Sequence, residues 1–279
     1  MQENYYEYLK ATGDLEFNMT NDYMFRMVLQ RDEETLTNLI CSVLNLPRES
    51  VTKAHIENPV EIGADVKSKE YQLDIHVLLN DNTYINMEMQ VINYKNWPER
   101  SLSYLCRRFD NVLKGKDYSS VKPVYHIGFL DFTLFDDHPE FFGKYQMRNC
   151  IDNYPYTDKF NLYVVNLNRT DIATDEDKAY GIDTWAKLFK AKTWEDIKMI
   201  TSENPSMNTT AESIYQSISD FEIRERCRAR EDAIIHEQYM KDQLKKLTDE
   251  NDKLTDENDK LTDENAHLRK LLKENGIVI

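Results

Sequence analysis

The stretch Tyr71–Gln90, YQLDIHVLLNDNTYINMEMQ, holds the residues of this chain best suited to chemistry. Leu73, Ile75, Val77 and Leu79 alternate with Asp74 and His76. In the run that follows, Ile85, Met87, Met89 and Val91 alternate with Asn86, Glu88 and Gln90. Period-two alternation marks half-buried strands, and Asn80, Asp81 and Asn82 supply turn chemistry between them. With Asp81 as midpoint, Asp74 lies opposite Glu88 and His76 opposite Asn86. Both apolar sets then share one face and both polar sets the other. A two-residue loop would set apolar against polar, so an odd-length turn or a bulge is predicted. Two carboxylates so placed repel unless a hard cation lies between them. Mg²⁺ prefers oxygen ligands, few of them from protein, with water and phosphate completing its shell. Such an ion can stabilise negative charge on a phosphate and lower the pKa of a bound water. The competing reading is an ordinary pair of acids on an exposed strand face.

The elements that must carry this hairpin are legible on either side of it. Asn21 to Gln30 reads as a helix, and Asp32 caps a second in which Leu36, Leu39, Ile40, Val43 and Leu44 recur at helical spacing before Pro47. Strands are expected at Thr52–Ile56, Gln72–Leu79 and Tyr84–Val91. A helix then opens with Pro98 in its first turn, with Gly115 expected just past its end. Leu102, Leu105, Phe109, Val112 and Leu113 form its apolar face, with Arg100, Tyr104, Arg107, Arg108 and Asn111 mostly on the others. Apolar strands at Val124–Leu130 and Leu162–Leu167 complete a mixed sheet, while Asp136 to Asp158 reads as loop or irregular helix. Strands interleaved with helices indicate α/β architecture. A long charged helix begins near Thr210.

The tail repeats LTDENDK, with Leu247, Leu254, Leu261 and Leu268 seven residues apart. These are heptad d positions, and Asn251, Asn258 and Asn265 fall at a, flanked by Leu244 and Leu272. In a parallel pair each Asn meets its twin and can hydrogen-bond it, whereas in an antiparallel pair it faces Leu. Asn at a therefore favours a parallel two-stranded coil in fixed register, at some cost in stability. Glu at every g with Thr at every e supplies no interchain ion pair. A solvated single helix or a disordered acidic tail is the alternative.

The chain has 279 residues and a formal net charge of -15, and it is poor in Gly and Pro, with 7 of each. Length fits one ordinary domain plus an appendage. The charge is uneven: Thr248 to Asn265 holds eight acids against Lys253 and Lys260. Lys95, Arg100, Arg107, Arg108, Lys114, Lys116 and Lys122 form a basic strip set against Glu99, Asp110 and Asp117. A strip of this kind suits a phosphate backbone despite the acidic total. No window reaches the ~18 apolar residues of a membrane span. The polar, acidic start MQENYYEYLK is not a secretory signal. Cys41, Cys106, Cys150 and Cys227 are widely spaced with no CxxC, which reads as reduced core thiols in a cytoplasmic protein.

Taken in order, LDIHV, INMEMQ and the basic helix ERSLSYLCRRF look like a PD-(D/E)XK nuclease. With NDYMFRMV before them, and LKGKDY, KPVYHIGFLDF and DTWAKLF after, the chain resembles the Rpn family of recombination-promoting nucleases, the PD-(D/E)XK nuclease family transposases. The resemblance covers most of residues 17 to 235. It implies a restriction-endonuclease-like mixed sheet flanked by helices, with a nuclease-like domain over 1–205. A connecting helix over 206–236 and a coiled coil over 237–279 follow. By that resemblance Asp74 and Glu88 are metal ligands, and Asp22 matches an N-terminal acidic position that can aid the metal. As an ordinary first-turn acid, Asp22 needs no such role. Gln90 stands where the signature usually has Lys, and offers hydrogen bonds in place of a charge. Arg100 and Tyr104, one turn apart, are placed to meet phosphate, bidentately for Arg, and Arg107 and Arg108 extend that face toward DNA. Surface ion pairing is the rival role for these residues. His76 shares the site face or is half-buried packing, and His126 reads as core.

The implied function is a Mg²⁺-dependent DNA endonuclease, a homodimer through its coil, tied by the family name to recombination or mobile elements. One rival is a degenerate nuclease fold kept as a DNA- or protein-binding module. Another is a nuclease toxin or phage-defence protein regulated through the coil.

Overall fold

The computed structural model describes residues 6–59, 74–111 and 115–275. The expected strand start at Gln72 and Leu73, and Val112, Leu113 and Lys114 of the basic helix, lie outside them. The chain divides into a compact unit, Met1–Glu231, and a second unit, Asp232–Ile279.

In the first unit the opening helices form where capping chemistry dictates. Asn21 accepts from the Met24 amide at the start of α1 (Asp22–Arg31). Asp32 accepts from the Glu34 and Thr35 amides at the start of α2 (Glu33–Leu44). Each side chain satisfies amides that the first helical turn leaves unpaired. Asn45 ends α2 in the left-handed conformation.

Among the described residues six strands follow: β1 (Ala54–Ile56), β2 (Ile75–Leu79), β3 (Thr83–Gln90), β4 (Val124–Leu130), β5 (Phe142–Gln146) and β6 (Phe160–Asn166). They form one sheet in the order β1-β2-β3-β4-β6-β5. The β1–β2–β3 run and the β5–β6 pair are antiparallel, whereas β3, β4 and β6 run parallel. The sheet is thus mixed and flanked by helices, as expected of a PD-(D/E)XK-like α/β fold. The segment expected to be loop or irregular helix contains β5, an edge strand. Its five residues include only two aromatic positions, too few to betray an alternation, and its pairing with β6 comes from tertiary context.

The helix after the hairpin, α3 (Trp97–Phe109), stops short of Gly115. Beyond it the Asn111 side chain ties Arg108 and Lys122 carbonyls together and accepts from the Lys122 amide. The remaining helices are α4 (Asp175–Ala179), α5 (Ile182–Lys190), α6 (Trp194–Glu203), α7 (Asn208–Ser219) and α8 (Phe221–Glu274). The segment read as a connecting helix is two helices divided at Asp220, and it contributes Ala211, Ile214, Ile223 and Cys227 to the core.

The main core lies on the apolar face of the sheet. Ile75, Val77, Ile85, Met87, Ile127 and Phe129 meet α1, α2, α5 and α7 there, with Phe25, Phe129 and Phe189 packed edge to face or tilted. The opposite face is covered by α3. Trp97 seats against Gly128, where an added Cβ would lie 2.1 Å from the indole. Cys41 and Cys227 are buried, but Cys106 and Cys150 are exposed on α3 and on a loop, so only two thiols belong to the core.

The second unit continues α8 as a single helix. Leu247, Leu254, Leu261 and Leu268 are 55–63% exposed along it, and Leu244 67%. Thr248, Thr255 and Thr262 each bond back to the carbonyl four residues earlier, so the e positions bind their own helix. Among the described residues no helix is long and apolar enough to cross a membrane.

Candidate active site

The β2–β3 register decides what the hairpin presents. Leu79 pairs with Thr83 and His76 with Asn86, leaving Asn80, Asp81 and Asn82 as a three-residue turn. Asn80 and Asp81 take positive φ, the backbone that Asn and Asp tolerate best among non-glycine residues. The odd turn keeps the two apolar sets together, and continuing the register one position past the pairing of Ile75 with Met87 sets Asp74 across from Glu88. Asn86 and Glu88 lie beside His126 and Gly128 on the face that α3 covers.

Both acids are buried there, Asp74 to 7% exposure and Glu88 to 3%. Burial, with Asp74 next, pushes Glu88 up to about 8. Asp74 is also raised by burial, against the pull of the Arg100 and Arg26 guanidinia. The two carboxyls therefore feel one another as a pair, the charge arrangement a bridging cation relieves. Glu88 Oε2 and Asn86 Oδ1 are buried with no hydrogen-bond partner among the described residues. Unpaired buried oxygens carry the full desolvation cost unless something unseen completes them. The donor set is all oxygen, which fits a hard divalent ion. Among the described residues no group of three or more His, Cys, Asp and Glu is placed to hold a metal. A site here thus rests on two carboxylates and an amide oxygen, and leaves room for water and phosphate.

Asp22 is near enough for its charge to raise both acids. It does not reach them as a free ligand, because Arg230 grips both its oxygens at 2.7 and 2.9 Å. Gln90 is half-buried on the same strand, with its amide donated to the Ile92 carbonyl at 2.9 Å.

The helix α3 turns its polar stripe inward. Leu102, which helical periodicity assigns to the apolar face, is 45% exposed, while Trp97, Ser101 and Leu105 are buried. The reason is the surface beneath: α3 covers a sheet face that itself carries Asn86, Glu88 and His126, so polar residues on both sides meet. Arg100 Nη2 lies 2.5 Å from Glu88 Oε1. Tyr104 stacks on His126, rings 5.9 Å apart. Arg108 pairs with Glu57 and lies 4.0 Å over the Tyr84 ring. Arg107 is exposed. A cavity of about 200 Å³ opens between helix and hairpin, lined by Asp74, His76, Asn86, Tyr104, Arg107 and Arg108.

His126, Arg26 and Asn58 were not legible as site residues, whereas Asn86 was. His126 is fully buried between Trp97 and Tyr104 and receives the Asn86 amide on Nδ1 at 2.8 Å. That bond leaves the ring proton on Nε2, which lies 3.9 Å from Glu88 Oε2. Burial holds its pKa down to about 3, so the ring is neutral. Asn86 was visible as the polar residue two before Glu88. Arg26, 1% exposed on α1, donates to the Asp74 and Asn58 carbonyls and so fixes the backbone that aims Asp74. Asn58 adds a bond to the Asp74 carbonyl at 2.9 Å and accepts from the His76 amide.

A family model for PD-(D/E)XK nuclease family transposases matches residues 19–244, most of the chain. The chain belongs to this family. Membership supports a nuclease- or transposase-related function, and nucleases of this superfamily generally use divalent metal ions. No curated protein and no solved structure matches the chain. In this PD-(D/E)XK chain the acids of LDI and of the E-x-Q run stand on the same buried face.

Proposed function

We propose that this chain is a metal-dependent endonuclease that hydrolyses DNA phosphodiester bonds and acts as a homodimer through its C-terminal helix. The observation that carries the reading is the buried, mutually interacting pair Asp74 and Glu88 beside a cavity edged with arginines. Asp74 and Glu88 would hold a divalent ion such as Mg²⁺, which supplies charge neutralisation at phosphorus and an acidified water. Arg26 and Asn58 fix Asp74 through its carbonyl, and neutral His126 presents Nε2–H toward Glu88. Gln90, its amide committed to Ile92, keeps Oε1 to accept a hydrogen bond from the attacking water. Tyr104, Arg107 and Arg108 line the approach for a phosphate backbone, and Arg100 stands at the acid itself. Asp22 adds negative charge beside the two acids, which would favour a cation there, while Arg230 holds it.

A binding module on a nuclease fold is the second reading, favoured by Gln90 in place of a cation and by the Arg100–Glu88 ion pair. Plasmid nicking with Mg²⁺, Mn²⁺ and Ca²⁺ separates the two. Wild type is expected to nick with Mg²⁺ or Mn²⁺, and Asp74→Ala and Glu88→Ala to lose at least about 100-fold. Nicking undiminished in both variants disposes of the assigned site, and no nicking by pure wild type favours the module.

A further inference from the structure

Arg100 makes a contact that a phosphate-binding arginine does not need. Its Nη2 is 2.5 Å from Glu88 Oε1, and its charge also draws on Asp74, so one guanidinium serves both acids. The two partners differ in freedom: the Arg100 side chain is 35% exposed and Glu88 4%. The acid is fixed in the sheet, while the cation sits on a flexible stem at the rim. Its attachment is also partial, since Arg100 Nε is buried without a hydrogen-bond partner among the described residues. One helical turn on, the Tyr104 ring lies 5.5 Å from the guanidinium and borders the cavity. That ring gives the guanidinium a cation–π contact on the side of the cavity. A dication on the same carboxylate would stand within a few ångströms of the guanidinium, and repulsion between them is weakly screened in so buried a site.

We propose that Arg100 is an exchangeable counter-ion, in which the guanidinium and a divalent cation are alternative partners for Glu88 and the displaced arginine turns to the DNA phosphate. This rests on the assignment of Asp74 and Glu88 as ion-binding residues. Arg100 thereby couples ion entry to DNA engagement: phosphate draws the guanidinium outward, and its departure frees the acid for the ion. The coupling is reciprocal, so DNA tightens the ion as much as the ion tightens DNA.

Calorimetric titration of the full chain with Ca²⁺ tests it without relying on cleavage. Arg100→Gln is expected to bind Ca²⁺ about tenfold more tightly than wild type, having lost the competing charge. A short duplex is expected to raise the Ca²⁺ affinity of wild type and to have little effect on that of Arg100→Gln. If Arg100→Gln melts too low for titration, Arg100→Lys replaces it. Lacking the fork, Lys competes less well, and an affinity above wild type supports exchange. Equal or weaker Ca²⁺ binding by the variant used overturns it. Failure of the underlying assignment looks different: wild-type Ca²⁺ binding then survives Glu88→Gln, or wild type shows no Ca²⁺ binding at all.

Discussion

The two units of this chain place charged residues under opposite rules. In Met1–Glu231 acids and arginines are drawn inside, with Asp74, Glu88 and Arg26 all under 10% exposed. In Asp232–Ile279 leucines stand outside and acids line the helix around them. The first arrangement costs desolvation and persists only where a fold over-determines each group. The second costs little per residue, because a helix with its side chains in water satisfies its backbone by itself. Its unburied leucines gain nothing until something covers them. Charge is gathered inside where burial is costly, and apolar surface is left outside where the helix stands in water.

Three experiments would sharpen or break this contrast. The largest effect is expected from Arg26→Met, which removes a buried guanidinium and leaves the Asn58 carbonyl without it. A loss of about 2–4 kcal/mol in urea unfolding is expected. A loss under about 0.5 kcal/mol, within the range of a surface change, would show that the carbonyl clamp is dispensable. Next is the pH dependence set by Glu88. Its folded pKa, raised to about 8 by burial in spite of Arg100, lies above the ordinary carboxyl value of 4.5. Between those values the folded state favours the proton that the unfolded state releases, and the Arg100–Glu88 contact becomes a full ion pair as pH rises through about 8. The resulting stability is full below about pH 4.5 and declines as pH rises toward 8. Thermal melts from pH 5 to 8.5 should show Tm falling, with a shallower fall in Glu88→Gln; identical slopes would mean that the pair is not protonated in the fold. The smallest effect on the folded unit is expected from deleting residues after Lys241. Its urea midpoint should hardly move, while sedimentation shifts from dimer to monomer. A dimer that survives would move self-association to the first unit.

How much could be read in advance depended on the range of the interactions involved. The Asp81-centred register was legible because period-two alternation on both sides of NDN admits one phase with matching faces. The cap Asp32 was legible for the same local reason, whereas Asn21, expected as the first residue of its helix, is the cap of that helix. His126 was hidden because β4 is covered on both faces, so its sequence runs apolar at nearly every position and a polar residue aimed into a site looks like core. The inward turn of Arg100 and Tyr104 was hidden because helix periodicity identifies an apolar stripe, and α3 packs on a surface that is itself polar. Arg26 gave no sign, its two acceptors being carbonyls far along the chain.

By itself the sequence determined the strands and the turn that phase Asp74 with Glu88, the heptads of the tail and the family to which the chain belongs. Each of these is set by spacing along one strand, one helix or one ordered set of motifs. Only the tertiary structure decided that Arg230 holds Asp22, that Arg100 meets Glu88 and that His126 stands beneath it. Those contacts join residues that are close only after the sheet has gathered them. What an acid or an arginine can do there is fixed by burial and by partners that no local pattern encodes.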